Sequence, residues 1–112
     1  MDMKQAHLFD KIDLQLIRTL HTLLIERSVS KTAMRLGQQQ PAVSVALKRL
    51  RELTGDPILV RSGTGMVPTD VGLQMLAPVT QILQAAEGLF SPARAFDPAD
   101  ARETFRIAAS DT

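Results

Sequence analysis

Residues 39–51 read QQPAVSVALKRLR, a run whose residue types and spacing suit contact with the edges and phosphates of a nucleic acid. A glutamine amide can pair bidentately with an adenine edge, a serine hydroxyl with several base edges, and a valine side chain with the methyl of thymine. At helical spacing Gln40, Pro41, Ser44, Val45 and Lys48 fall together, opposite an apolar stripe of Val43, Ala46/Leu47, Leu50 and Leu53. The polar face is the one that would enter a major groove. Lys48, Arg49 and Arg51 are cations suited to holding phosphates and setting register. The same pattern also describes a solvated amphipathic helix with one basic side, so the surrounding elements must decide.

Those elements have legible signals. Asp13–Arg27 carries apolar residues at Leu14, Ile17, Leu20 and Leu24, widened by Leu16, Leu23 and Ile25, which predicts a first helix capped by Asp13. Ser30–Leu36 predicts a short second helix capped by Ser28 or Ser30 and stopped at Gly37, a residue free to take left-handed geometry. Pro41 suits the first turn of a third helix reaching about Leu53, since its missing N–H would be unpaired there anyway. Thr54-Gly55-Asp56-Pro57 is turn chemistry. Ile58–Val60, a tight Ser62–Gly65 loop and Met66-Val67 then predict a small hairpin, closed by Pro68. Two short helices joined by a glycine turn, the second proline-led and basic, make a helix-turn-helix layout, and the hairpin is its wing.

Thr69 is placed to cap a fourth and longest helix, from Asp70 to Leu89 or Phe90. Leu76, Val79, Leu83, Ala86 and Phe90 are spaced 3, 4, 3 and 4, with Ile82 and Leu89 broadening the seam, a pattern that pairs helices. Pro78 costs that helix one backbone hydrogen bond and predicts a bend. Residues 91–102 read as a linker, and Thr104–Ala109 as the opening of a strand with no partner in the chain, as expected of a piece of something longer.

Composition narrows the function. Four Phe with no Tyr or Trp argue against a single-strand binder that stacks bases on aromatic platforms. No cysteine means no disulfide and no thiolate metal site, which fits a cytoplasmic protein, and neither a signal peptide nor an apolar run of membrane-spanning length is evident. Residues 1–68 hold ten Lys/Arg against six Asp/Glu, and residues 69–112 three against six, so the basic half is the one that would meet phosphate. No catalytic nucleophile, base or phosphate loop stands out, and no metal site is expected. His7 and His21 lack a carboxylate at ligand spacing, with His21 reading as a helix-face residue. Gly63-Thr64-Gly65 lacks the third glycine of a dinucleotide fingerprint. Met34, Met66 and Met75 read as packing residues.

The stretch from Leu14 through Gly72 resembles the N-terminal domain of LysR-type transcriptional regulators. The matching residues are Ser28–Ala33 before Leu36-Gly37, then Gln39–Ser44, Leu47–Leu50, Gly55–Arg61 and Pro68–Gly72. The resemblance implies a mainly α fold: a winged helix-turn-helix of three helices plus a two-stranded wing, followed by a long linker helix that dimerises. It implies base contacts from Gln40, Pro41, Ser44, Val45 and Lys48. Backbone or wing contacts are implied for Ser30, Lys31, Gln39, Arg49, Arg51, Arg61, Ser62 and Thr69. Dimerisation would use Leu76, Val79, Ile82, Leu83, Ala86, Leu89 and Phe90.

In these terms residues 1–69 are the DNA-binding domain, 70–91 the linker helix, 92–103 a hinge, and 104–112 the start of an effector-binding domain. The expected partners are double-stranded DNA, read as a partly palindromic operator, and further copies of the chain, as a homodimer or at full length a tetramer; no membrane is involved. No cofactor is expected within these residues. A small-molecule effector is implied for the longer protein, and the segments at 96–98 and 102–109 most resemble the subgroup that senses small aromatic compounds. Departures from the family pattern are Val45 in place of an arginine or polar residue, Gln38 for an apolar turn residue, Thr32 for an alanine, and Leu50-Arg51 for Leu-Glu. A rival reading is a helical interaction module without DNA affinity. Duplex binding that weakens steeply with salt separates the two.

Overall fold

A computed structural model describes residue 8 and residues 10–91. The hinge and strand expected over 92–112 lie outside the described residues, as does His7. Among the described residues the elements from Leu14 onward follow in order: α1 (Leu14–Glu26), α2 (Val29–Leu36), α3 (Gln40–Thr54), β1 (Leu59–Ser62), β2 (Gly65–Pro68) and α4 (Asp70–Leu89).

Local chemistry explains the helix ends. The Asp13 carboxylate accepts the Leu16 N–H at 2.7 Å, capping α1. Of the two serines that could cap α2, Ser28 does so, accepting from the Lys31 N–H at 3.1 Å. Gly37 ends α2 with φ +65°, its N–H and that of Gln38 turning back to carbonyls of the last turn. Gln39 precedes α3 without a side-chain cap, and Pro41 occupies the first turn.

The three helices enclose one core. Leu16, Leu20, Leu23 and Leu24 of α1, Ala33 of α2, and Val43, Leu47 and Leu50 of α3 are buried, with Ile58 and Leu59 closing it from the wing side. Thr19 and Thr22, also buried, satisfy their hydroxyls on the carbonyls of Gln15 and Arg18. The buried face of α1 is narrower than its apolar residues predict: Leu14 and Ile25 stand about half exposed. Met34, read from the sequence as a packing residue, is 79% exposed, because α2 turns Thr32 and Ala33 inward instead.

In the wing, Leu59 pairs with Pro68, Val60 with Val67, Arg61 with Met66 and Ser62 with Gly65, leaving a two-residue turn with Gly63 at φ +61°. Ile58, expected as the first strand residue, adopts φ +68° and stands outside the ladder. For a β-branched residue this geometry costs on the order of 1–2 kcal/mol, which only a well-fixed neighbourhood can hold.

The chain forms two compact units, the first ending at Gln81 and the second beginning at Ile82. Within the first, α4 passes through Pro78 as continuous helix, and Val79 is buried at 4% exposure. At that exposure Val79 is not open on the surface assigned to dimerisation. In the second unit Ile82, Leu89 and Phe90 are exposed, and Leu83 and Ala86 half-buried. No helix among the described residues is long and apolar enough to cross a membrane.

Candidate nucleic-acid interface

With Val43, Leu47 and Leu50 turned into the core, α3 presents Gln40, Pro41, Ser44, Val45 and Lys48 to solvent. The helical repeat places them on one surface, and Val45 is 59% exposed. An isopropyl group that open, on the face of polar neighbours, has no role in the core. Gln39, at the mouth of this helix, is exposed too. Ser30 and Lys31 are exposed at the N-terminal turn of α2, where unpaired backbone N–H groups favour an anion. The Ser30 hydroxyl lies 3.2 Å from that of Ser28. Arg61 and Ser62 are exposed on β1.

Two polar positions depart from the sequence expectation, and a third keeps its exposure at the edge of this face. Arg49 is exposed, but on the flank of α3 that faces the start of α1, where it lines a shallow hollow with Asp10, Lys11, Asp13 and Glu52. Arg51, expected at a phosphate, is instead a brace within the chain. Its Nε donates to the Pro57 carbonyl at 2.8 Å and its terminal nitrogen to the Leu59 carbonyl at 2.9 Å, fastening α3 to the first strand of the wing. Thr69, also expected near the DNA backbone, has both of its donors engaged within the chain. The hydroxyl donates to Asp56 Oδ2 at 2.6 Å, and its N–H to the Ile58 carbonyl at 2.9 Å. The same hydroxyl accepts the Gly72 N–H at 3.0 Å, so Thr69 is the cap of α4, as its sequence position predicts.

These bonds centre on Asp56 and Ile58, in a segment whose sequence reads only as a turn leading into a strand. Asp56 Oδ2 accepts both the Thr69 hydroxyl and the Ile58 N–H, the latter at 2.7 Å. An aspartate bonding the backbone two residues on is a known turn device, so the signal was present in Asp56-Pro57-Ile58. Its second partner, thirteen residues away, carries no local signal. Gly72 was visible only as part of the family pattern. A Cβ there would sit 2.6 Å from the Ile58 carbonyl oxygen.

A surface ion pair, Arg35 to Glu26 at 2.6 Å, ties α2 to α1. Among the described residues no group of three or more His, Cys, Asp or Glu could hold a metal.

Known proteins share this arrangement. The family described as bacterial regulatory helix-turn-helix protein, lysR family, matches residues 14–73. The transcriptional activator NahR of Pseudomonas putida is 42% identical over 100 residues, covering 89% of this chain and 33% of that protein. NagR of a Ralstonia species, also a transcriptional activator, is 39% identical over 100 residues with the same coverage. The chain thus spans about a third of the length of these curated relatives. A solved structure of a probable transcriptional regulator from Pseudomonas aeruginosa superposes with a TM-score of 0.66 at 34% identity, over 74% of this chain and 28% of that one. The BenM DNA-binding domain, solved in complex with catB site 1 DNA, superposes with a TM-score of 0.68 over 75% of this chain and 94% of that one. At 23% identity that likeness is one of fold. The match across residues 14–73 spans α1 through the first turn of α4, and the chain belongs to the LysR family of bacterial regulatory helix-turn-helix proteins.

Proposed function

We propose that this chain is the DNA-reading end of a cytoplasmic LysR-type transcription regulator, inserting α3 into the major groove of a partly palindromic operator. The observation that carries the reading is the solvent-open face of Gln40, Pro41, Ser44, Val45 and Lys48, set on a helix whose other side is locked in the core. Gln40 reads an adenine edge, Ser44 a neighbouring edge, and Val45 a thymine methyl where a longer polar residue would have read a base by hydrogen bonding. Lys31, Lys48, Arg49 and Arg61, with Ser30, Gln39 and Ser62, hold the backbone around that helix.

Dimerisation through α4 rests on the exposed Ile82, Leu89 and Phe90, with Leu83 and Ala86 half-buried in the same unit and Leu76 half-buried in the first. An apolar row of this kind is what a second copy would cover. Tetramer assembly and control by a small molecule, in the aromatic class that the 96–109 sequence resembles, belong to the longer protein.

Binding to duplex DNA should fall steeply as salt rises. If four cationic side chains per protomer reach phosphates, the slope of log affinity against log salt for a dimer is on the order of −7. Lys48→Ala should weaken operator and random duplex alike and flatten that slope, whereas Gln40→Ala should relax preference at one base pair per half-site by about 1–3 kcal/mol. Absence of duplex binding at low salt, measured by fluorescence anisotropy, would overturn the proposal and favour the interaction-module reading.

A further inference from the structure

The first turn of α4 is joined to the wing more firmly than a helix cap requires. Three separate constraints meet within a few residues. Asp56 Oδ2 takes one hydrogen bond from the Ile58 N–H and another from the Thr69 hydroxyl. The Ile58 carbonyl takes the Thr69 N–H and stands so close to Gly72 that only a residue without a side chain fits. Ile58 itself is completely buried and held at φ +68°, a conformation it would leave if its bonds were cut. Capping α4 needs only the bond from the Gly72 N–H to the Thr69 hydroxyl. The Asp56 bond adds something different: it orients that hydroxyl and ties it to the turn that follows α3. Arg51, reaching from α3 to the carbonyls of Pro57 and Leu59, holds the same turn from its other side.

We propose that Asp56 is a positioning residue that sets the direction in which α4 leaves the wing, and thereby the half-site spacing a dimer of this chain accepts. The inference rests on the dimeric DNA-binding reading above. In such a dimer the recognition helices are joined only through α4 of each copy, so slack at the root of α4 becomes slack in the separation of the two helices. Adding or removing one base pair between half-sites rotates one against the other by about 36°, given roughly ten base pairs per turn. A rigid root rejects that change, and a loosened one tolerates it. The carboxylate suits the task because one oxygen accepts two short, charge-assisted bonds from donors that stand just before and just after the wing.

The test is selection of bound duplexes from a random pool by the 112-residue chain, followed by sequencing. The wild-type chain should enrich inverted repeats at one spacing, about tenfold or more over spacings one base pair away, as expected for a misfit comparable to a mismatched base pair. Asp56→Ala and Thr69→Val should reduce that ratio to about twofold, on the same scale, while leaving the half-site sequence unchanged. Thr69→Ser, which keeps the donor, should restore it. Thermal melts establish which variants are folded, and Thr69→Val decides the matter if Asp56→Ala does not fold. Unchanged spacing preference in folded variants would sink this inference alone, as would spacing and half-site sequence blurring together. Failure of the wild-type chain to enrich paired sites would sink the dimeric reading and this inference with it.

Discussion

The two ends of α3 are built to opposite rules. At its start, Gln40, Pro41, Ser44 and Val45 face water, and no side-chain hydrogen bond among the described residues holds the polar ones. At its end, Arg51, Thr54 and Asp56 each make side-chain hydrogen bonds within the chain. The difference shows how one helix can both present and be placed. Side chains meant for an external partner must be left without internal ones, since a hydrogen bond already made inside must be broken before another forms. Side chains that fix the helix against its neighbours instead supply partners to backbone groups of the turn that packs there, some of them buried. Arg49 and Arg51 illustrate the divide two residues apart: the first is exposed, the second braces the wing.

That contrast can be broken from its rigid side first. Gly72→Ala forces a methyl group against the Ile58 carbonyl, an unyielding backbone atom 2.6 Å from the Cβ position. It should cost about 3 kcal/mol, toward the upper end for overpacking, read as a lower denaturation midpoint. Arg51→Met strips donors from the Pro57 and Leu59 carbonyls. A loss of about 2 kcal/mol is expected for bonds from a charged group, with the salt slope of DNA binding unchanged in the folded protein. Lys48→Ala should do the reverse, lowering affinity and salt slope while shifting stability by less than about 0.5 kcal/mol. If Arg51→Met flattens the salt slope as Lys48→Ala does, the division of labour between them is wrong.

One substitution on the core side should bring a gain. Thr32 is fully buried with its hydroxyl unpartnered. Thr32→Val keeps the shape and removes the unsatisfied group, so it should stabilise by about 1 kcal/mol, observed as a raised melting temperature.

Most of the fold was legible because its signals are local. Asp13 three residues before Leu16, Gly37 ending α2, and Pro41 in the first turn of α3 each act within one helical turn, where spacing alone states the geometry. The open face of α3 was legible for a related reason: once Val43, Leu47 and Leu50 are assigned inward, the helical repeat places Gln40, Ser44 and Val45 outward. Periodicity was less reliable where two surfaces compete for one stripe. Val79 fits the dimer seam of α4 by spacing, yet it is buried within the chain. Leu14, Ile25 and Met34 are apolar residues at plausible packing positions that the neighbouring elements do not reach.

Sequence by itself determined the helix-turn-helix, the wing and the open face of α3, because capping, turn and amphipathic preferences operate over a few residues and all agree here. Only tertiary structure decided which polar groups remain free for a partner. Arg51 and Thr69 carry the same chemistry on paper as residues that meet phosphate, and what separates them is the position of three carbonyls and one carboxylate: Pro57, Leu59, Ile58 and Asp56. Those acceptors come into place only when the chain between α3 and α4 has folded back on itself, with Ile58 turned into its left-handed conformation.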